Sequence, residues 1–223
     1  MAAPELTPRA RQTRAAIVDA ALALFRERGY EAATMREIAS RAGVSTGNAY
    51  YYFGSKEELI QEFYLIRHAE HLAASRPVLD RETELGARLR GTLRALVDGL
   101  GPYHAFAATF YKHAAEPSSP LSPFSAESSP ARDASTALFR EVADGSSARM
   151  SQEVRDRLPE LLWLYSMGVI LYWVHDSSAG CARTYHLIDV TAPVAARLVA
   201  VSRLPVLRST VGEITRLIDD LRA

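Results

Sequence analysis

Residues 34–59, T-M-R-E-I-A-S-R-A-G-V-S-T-G-N-A-Y-Y-Y-F-G-S-K-E-E-L, contain three helix starts and two tight stops. Thr34 and Glu37 have the spacing of a capping box, in which the threonine hydroxyl accepts from a free amide and the glutamate reaches back. Gly43 is placed to end that helix, because glycine adopts the left-handed backbone without steric cost. This spacing predicts a short helix followed by a tight turn.

A second short helix follows at once. Ser45 is placed to cap it, it extends over residues 46–52, and Gly54 is placed to end it. Ser55 and Glu58 then form another capping box, which begins a third helix. Two short helices joined through a glycine turn form a helix-turn-helix, whose second helix is presented outward at a size that the DNA major groove admits.

The outward side chains predicted for the second helix carry groups that contact DNA. Ser45, Thr46 and Asn48 offer hydrogen-bond groups to base edges, and an asparagine can pair with adenine through two hydrogen bonds. Gly47 permits close approach of the backbone. Phosphate contacts are expected from Tyr50, Tyr51 and Lys56. The alternative is a helix-turn-helix that contacts another protein.

The block G-V-S-T-G-N-A-Y-Y-Y-F-G-S-K-E-E-L resembles the DNA-binding motif of the tetracycline-repressor (TetR) family of bacterial regulators. The preceding A-A-L-A-L-F-R-E-R-G-Y-E-A-A-T-M-R-E-I-A is similar to the first helix of that family and the entry to its second, so the resemblance covers about residues 11–66. It implies that Arg36 and the amide and hydroxyl of Thr34 also lie at the DNA. Ala49 departs from the family, which usually has a larger aliphatic residue there. The packing under the second helix is therefore expected to come partly from Tyr50, Tyr52 and Phe53.

The charge of the chain is balanced, with 26 basic and 26 acidic residues among 223, so there is no overall attraction to nucleic acid. A DNA-binding protein of this kind must segregate its charge or make few phosphate contacts. Segregation is visible only at Arg9, Arg11 and Arg14, which we interpret as an arm or helix start near the phosphate backbone. The alternative is an ordinary solvated terminus.

The single cysteine, Cys181, excludes an intramolecular disulfide and agrees with a reducing compartment. The first ten residues lack the charged-then-apolar order of a signal peptide. The longest apolar run, residues 161–174, is shorter than the ~18 residues of a membrane span. These observations predict a cytoplasmic protein without a membrane partner.

The helix pattern of the whole chain predicts an all-α fold with no strand pattern. With the TetR resemblance, it implies a three-helix DNA-binding domain (1–54, with 1–8 as a disordered arm) followed by a helical effector-binding and dimerisation domain (55–223). Pro77 is expected to end the helix that follows Ser55. A Pro/Ser-rich segment, residues 116–130, predicts a mobile loop. The helices are predicted at about residues 11–28, 56–75, 82–100, 102–115, 131–143, 154–176, 183–203 and 206–221.

Residues 158–176 are apolar around nearly the whole helix, which therefore needs burial on all sides. In the TetR family two helices near the C-terminus form a four-helix interface with a second copy, and the helices at about 154–176 and 183–203 resemble them. The resemblance implies a homodimer on a palindromic operator. The alternative is that both helices form the core of a monomer. The residues expected in the interface are Val169, Trp173, Leu187, Val190, Val194, Leu198 and Val201.

The second half of the chain is rich in aromatic residues, which are more often core than pocket. The TetR resemblance implies an effector cavity for a small, largely apolar molecule, and hence most simply a repressor that this molecule releases from DNA. Such cavities carry a few polar anchors. The expected lining residues are Tyr103, His104, Phe106, Phe110, Trp163, Tyr165, Tyr172 and His175.

Metal, cofactor and catalytic sites are not predicted. His68 and His71 share a helix face but have no third ligand nearby, so we interpret them as exposed histidines. No P-loop, G-x-G-x-x-G or G-x-S-x-G motif occurs. Two rival classes remain: a regulator of the same fold that answers to a protein partner, and an enzyme on a helical scaffold.

Overall fold

The computed structural model describes residues 7–202, apart from the side chains of Phe106, Thr109 and Phe110. Within this part the chain is helical and has no strand, as the sequence predicts. The predicted helix over residues 206–221 and most of the predicted N-terminal arm lie outside the described residues. The helices are α1 Pro8–Arg28, α2 Met35–Arg41, α3 Thr46–Tyr52, α4 Lys56–Arg81, α5 Leu85–Leu100, α6 His104–Ala114, α7 Ser129–Asp144, α8 Gln152–Val174 and α9 Ala182–Val201.

By packing, the chain divides into two units. The first unit consists of residues 1–67 and 102–131, and the second of residues 68–101 and 132–223. Helix α4 contributes its residues up to Arg67 to the first unit and those from His68 onward to the second. The functional division at residues 54 and 55 stays a prediction.

Helix α1 begins earlier than predicted. Thr7 caps it, with its hydroxyl accepting from the Ala10 amide at 3.2 Å, and Pro8 is the first helical residue. A proline is favourable there because the first amides of a helix have no partner inside the helix. Residues 7 and 8, which we expected in a disordered arm, are therefore part of the helix start.

The core of the first unit is formed by α1, α2, α3 and the first turns of α4. One residue from far along the chain, Leu121, is buried in the same cluster. The segment around it, residues 117–128, forms consecutive turns instead of a free loop. Gln61 on α4 holds these turns by donating to the Pro120 carbonyl at 2.6 Å and the Ser128 hydroxyl at 3.0 Å. Helix α7 then begins at Ser129, before the predicted start.

In the second unit, α5 packs closely on α9. A Cβ atom on Gly86 would lie 3.2 Å from the Cα of Pro193, so glycine permits the approach of the two helices. The apolar stripe of α5 faces inward, with Leu89 and Leu93 fully buried. Ile188 of α9 is fully buried as well.

Helix α4 does not end at Pro77, contrary to the prediction. Proline removes one helical hydrogen bond, yet the helix continues to Arg81 because tertiary contacts hold its last turn. The buried Arg88 of α5 donates to the Leu79 carbonyl at 2.6 Å and to the Glu82 carbonyl at 2.7 Å. Leu79 itself is buried. These hydrogen bonds from Arg88 explain why Pro77 does not mark the end of the helix.

The connection between α8 and α9 is organised by one buried carboxylate, Asp176. It accepts from the amide and hydroxyl of Ser178 at 2.9 and 2.6 Å, and from those of Thr184 at 2.8 and 2.7 Å. Gly180 and Cys181 adopt left-handed backbone at φ 59° and 54°. The turn is therefore held by hydrogen bonds to a single charged group.

Candidate nucleic-acid interface

The turn between α2 and α3 forms as the sequence predicts. The Thr34 hydroxyl accepts from the Glu37 amide, and the Glu37 carboxylate accepts from the Thr34 amide at 3.0 Å. Gly43 has φ 70°, and its amide donates to the Ser40 carbonyl while the Val44 amide donates to the Ala39 carbonyl. This is the Schellman arrangement, which satisfies the last carbonyls of α2. The predicted capping box and left-handed glycine are confirmed.

Helix α3 begins as predicted and ends differently. Ser45 is its cap, since its hydroxyl accepts from the Asn48 amide at 3.1 Å. The helix ends because Phe53 is extended, and Gly54 is not left-handed. Instead, Gly54 gives room to the Glu58 carboxylate, which accepts from its amide at 2.8 Å. Half of the predicted second capping box is confirmed, since the Ser55 hydroxyl accepts from the Glu58 amide at 3.3 Å. In the other half, the Glu58 carboxylate accepts from the Gly54 amide instead of the Ser55 amide.

The underside of α3 is apolar and small. Ala49 is fully buried and Phe53 is buried at its end, while Tyr52 is partly buried against the same cluster. Tyr50 is 51% exposed, so it does not supply the packing that we expected from it. The short Ala49 side chain lets α3 lie close to the core of the first unit.

The outer face of α3 carries most of the residues that the sequence singled out. Ser45, Gly47 and Asn48 are exposed, and nothing lies within 4 Å of a Cβ placed on Gly47. Tyr51 is 81% exposed. Thr46 is intermediate in exposure, and Arg36 of α2 is exposed. The face is therefore polar, open at Gly47 and accompanied by two exposed tyrosines, Tyr50 and Tyr51.

Two of the predicted phosphate contacts are already engaged within the first unit. Lys56 donates to the Tyr30 carbonyl at 2.8 Å and lies 4.5 Å from the centroid of the Tyr30 ring. The amide and hydroxyl of Thr34 both donate to Glu37, and the hydrogen bond from that hydroxyl lowers the pKa of Glu37. Glu37 also pairs with Arg28 at 2.8 Å. A negative charge therefore stands at the start of α2.

Arg14 does not belong to a basic arm. Its guanidinium donates to the Glu62 carboxylate at 2.7 Å and to the Tyr52 carbonyl at 3.3 Å, and it lies 4.4 Å from the Phe53 ring centroid. Arg9 and Arg11 are exposed. Residue type does not distinguish Arg14 from these two. The only available signal was its place on the α1 face that carries Ile17 and Val18.

The residues predicted for a ligand pocket divide between the two units. In the first unit, the Tyr103 ring packs against Phe63 with 4.9 Å between centroids, and His104 is intermediate in exposure. The side chains of Phe106 and Phe110 lie outside the described residues.

In the second unit, Trp163 is buried and the Tyr165 hydroxyl bonds to the Thr191 hydroxyl. Tyr172 and His175 are exposed. The Tyr165 hydroxyl therefore already has a partner, and the lining role of the second-unit residues stays a prediction.

The second unit has an open groove of about 530 Å³, and none of the predicted pocket residues lines it. Its polar lining includes Arg94, which pairs with both carboxylate oxygens of Asp189 at 2.9 Å. This groove is not the apolar cavity that the sequence predicts. Its lining residues are Val78, Arg81, Glu82, Ala87, Arg90, Gly91, Arg94 and Asp189.

The predicted interface residues separate into exposed and buried groups. On α9, Val190, Val194, Leu198 and Val201 are exposed, Leu198 by 63%, and Leu187 is intermediate. On α8, the predicted Val169 and Trp173 are instead buried inside the chain at 1% and 2%. They are therefore not part of the exposed face. The apolar or aromatic residues that α8 exposes are Leu164, Leu171 and Tyr172.

The prediction that His68 and His71 of α4 are exposed is wrong. His71 is buried, its Nε2 lies 2.8 Å from the Thr92 carbonyl, and burial lowers its pKa. His68 is partly buried, which lowers its pKa as well. Among residues 7–202, no group of three or more His, Cys, Asp or Glu side chains could hold a metal ion. None of the helices described is long and apolar enough to cross a membrane.

Residues 17–63, which carry α2 and α3, match the family described as bacterial regulatory proteins, tetR family, and residues 88–217 match the tetracyclin repressor-like C-terminal domain. The chain belongs to the TetR family. This is a family of bacterial regulatory proteins, and its curated relatives are named as helix-turn-helix transcriptional regulators, not as enzymes.

Curated TetR-family relatives match part of the chain. The HTH-type transcriptional repressor KstR2 of Mycobacterium tuberculosis is 34% identical over 92 residues, which are 41% of this chain and 46% of KstR2. The HTH-type transcriptional activator FasR of Mycolicibacterium smegmatis is 41% identical over 88 residues, or 39% and 40% of the two chains. The chain thus matches less than half the length of these relatives.

Solved structures share the fold over most of the chain. A TetR transcriptional regulator from Nitrosomonas europaea has a TM-score of 0.62 at 19% identity, covering 82% of this chain and 97% of that one. The TetR-family repressor FadR of Thermus thermophilus, solved in complex with lauroyl-CoA, has a TM-score of 0.57 at 23% identity, covering 78% and 90%. At these identities the likeness concerns the fold alone.

Proposed function

We propose that this TetR-family regulator is a cytoplasmic repressor that binds a palindromic operator as a homodimer. A small, largely apolar ligand in the C-terminal domain releases it. DNA binding is assigned to residues 1–54, and effector binding and dimerisation to residues 55–223. The observation that carries the proposal is the outer face of α3, where Ser45, Asn48 and Tyr51 project around the open surface at Gly47.

On DNA, α3 would be the recognition helix. Asn48 and the hydroxyls of Ser45 and Thr46 suit base edges, and Asn48 can pair with adenine through two hydrogen bonds. Tyr50 and Tyr51 are exposed, and their hydroxyls suit phosphates. Thr34, Arg36 and Lys56 complete the proposed surface. Of these, Lys56 and Thr34 must exchange an internal hydrogen bond for a phosphate.

The homodimer is supported by the exposed apolar residues of α8 and α9. A run of exposed aliphatic side chains on adjacent turns of α9 is unfavourable in water, and a second copy would bury it. A two-fold dimer places two recognition helices about one DNA turn, ~34 Å, apart, which calls for a palindromic site.

The ligand response follows the thermodynamics of linked equilibria. A ligand changes DNA binding only if it prefers the conformation in which the two recognition helices are wrongly spaced. Helix α4 is the proposed lever, because one continuous helix contributes residues to both units. The lauroyl-CoA bound to the Thermus thermophilus FadR suggests an acyl thioester as the first probe.

The test is selection of duplexes from random DNA by the full chain, followed by sedimentation of the complex. We expect enrichment of a palindrome with half-sites about 10 base pairs apart, bound by two chains. If no sequence is enriched, the proposal of a specific operator is rejected. If a single half-site bound by one chain is enriched, the proposal of a homodimer is rejected. Lauroyl-CoA is then added to the complex, and unchanged DNA binding would reject this acyl thioester as the effector.

A further inference from the structure

One guanidinium group lies behind the recognition helix and joins three helices of the first unit. Arg14 of α1 donates to the Glu62 carboxylate of α4 at 2.7 Å, and its side chain is only 25% exposed. Its other terminal nitrogen donates to the Tyr52 carbonyl at 3.3 Å. The same group stacks over Phe53 at 4.4 Å from the ring centroid.

The hydrogen bond from Arg14 to Tyr52 lies at the C-terminal end of α3 and helps to fix that end. Tyr52 is the last residue of α3, and the last four carbonyls of a helix have no donor within the helix. A cation at that end is also favoured by the helix dipole. Glu62 orients the planar guanidinium, and Phe53 supports its face. The end of α3 is therefore tied to both α1 and α4 through one side chain.

We propose that Arg14, oriented by Glu62, is a positioning residue that sets the angle of α3 and thereby the discrimination between operator and other DNA. The proposal rests on α3 being the recognition helix. It assigns a role to Glu62, which is acidic and has no direct part in binding a polyanion. It also replaces the phosphate contact that the sequence suggested for Arg14.

The two roles predict different behaviour. A phosphate-binding arginine contributes to every duplex alike, so a change at this residue alters binding to all duplexes by the same factor. An acidic residue beside it would oppose binding, so that its neutralisation would tighten the complex. A positioning pair instead affects the selected duplex alone, and loss of either partner weakens that binding.

The experiment compares Arg14→Lys, Glu62→Gln and the double variant with the unchanged chain. Arg14→Lys keeps the charge and loses the planar fork, and Glu62→Gln keeps the size and loses the charge. The matched control is Arg9→Gln, which removes an exposed charge from the same helix. Fluorescence anisotropy over a salt series measures binding to the duplex selected from random DNA and to a scrambled duplex of equal length. Thermal unfolding fixes a temperature at which each variant is folded.

We expect each single variant to lose about tenfold in affinity for the selected duplex, the worth of one charge-assisted hydrogen bond. The affinity for the scrambled duplex stays unchanged, and so does the slope of the logarithm of the affinity against the logarithm of the salt concentration. The double variant loses no more than a single one, because the two residues act through one contact. Arg9→Gln changes both duplexes by the same factor.

Three results would overturn the inference: full discrimination in Arg14→Lys, tighter binding in Glu62→Gln, or equal losses on both duplexes. If Arg14→Lys does not fold, Glu62→Gln decides by the same criteria. If the unchanged chain selects no duplex at all, the proposed function fails and this inference falls with it. Selection by the unchanged chain with undiminished discrimination in the variants rejects the positioning role alone.

Discussion

At the scale of single residues, the role of a side chain at the proposed DNA surface depends on the partner it already has. Lys56 and Tyr51 both suit phosphates by residue type, yet Lys56 is bonded to the Tyr30 carbonyl and Tyr51 is 81% exposed. Sequence distinguishes residue types and spacing, not these partners. Ser45 could be predicted as the α3 cap from its position alone, whereas the contacts of Arg14 come from residues far along the chain.

Asn48 and Tyr51 are expected to affect DNA binding in different ways. Asn48→Ala should cost about 1–3 kcal/mol at one base pair and relax the preference there, because a base-edge contact is lost. Tyr51→Ala should weaken binding to all duplexes alike, since a phosphate contact carries no sequence information. Gel shifts against a set of single-substitution operators measure both.

The control for this pair is Gln152→Ala, which removes an amide from an exposed position of the second unit and should change neither quantity. Equal losses on every operator variant from Asn48→Ala would contradict its assignment to a base.

At the scale of helices, prediction succeeded where signals are local and failed where distant residues decide. The capping box at Thr34 and the left-handed Gly43 act within a few residues, so the bounds of α2 could be read from the sequence. Pro77 is an equally strong local signal, but the hydrogen bonds of Arg88 with the last turn of α4 override it. The turns at residues 117–128 likewise depend on Gln61, which no local pattern indicates.

Arg88 should be essential to the stability of the second unit. Its guanidinium donates to four carbonyls, those of Leu79, Glu82, Glu141 and Val142, at the ends of α4 and α7. Arg88→Met would remove a donor from each of these carbonyls, of which only that of Glu141 also accepts from a backbone amide of the described residues, that of Gly145 at 3.1 Å. We expect a loss of about 3 kcal/mol in the free energy of unfolding. The midpoint of urea unfolding measures it.

A matched control for Arg88 is Arg90→Met, an exposed position on the same helix, which should stay within about 0.5 kcal/mol. Identical midpoints for the two variants would show that the carbonyl contacts contribute little.

The turn between α8 and α9 should make stability depend on acid pH. Burial raises the pKa of Asp176, but the hydrogen bonds from Ser178 and Thr184 outweigh it and hold the pKa below its ordinary value. The carboxylate thus stabilises the folded state above its unfolded pKa of about 3.9, and this contribution is lost as the pH falls further.

Asp176→Asn should therefore be less stable than the unchanged chain at pH 7, with a difference that narrows below about pH 4. Urea unfolding at several pH values measures this difference. A constant difference from pH 7 to pH 3 would contradict the role of the charge.

At the scale of the whole molecule, the exposed apolar residues of α8 and α9 bear on how many chains act together. A helix that is apolar all round does not reveal which side faces a partner, so the sequence alone predicts Val169 and Trp173 in an interface although the chain buries them itself. The predicted aliphatic residues of α9 other than Leu187 are exposed, and their place in an interface stays a prediction. The proposed dimer rests on these exposed positions.

Leu198→Glu should convert the proposed dimer to a monomer and abolish operator binding, because a charge in a buried apolar interface lacks a partner. Sedimentation velocity at micromolar concentration measures the first effect and gel shift the second. Phe124→Glu, at a 66% exposed aromatic residue of the first unit, is the control and should leave the mass unchanged. A dimer that persists in Leu198→Glu would place the interface elsewhere.

The first unit is assembled from two separated stretches of chain, and this matters for anyone who wishes to build hybrid sensors. Leu121 is buried in the same hydrophobic core as Ile17 and Phe25, and Gln61 donates a hydrogen bond to the Pro120 carbonyl. A DNA-binding fragment made of residues 1–67 alone would lack Leu121 from its hydrophobic core and would expose the apolar side chains that Leu121 covers. A hybrid protein that joins this unit to another sensing domain must therefore also contain residues 102–131. Because the two units alternate along the chain, they cannot be exchanged at a single junction.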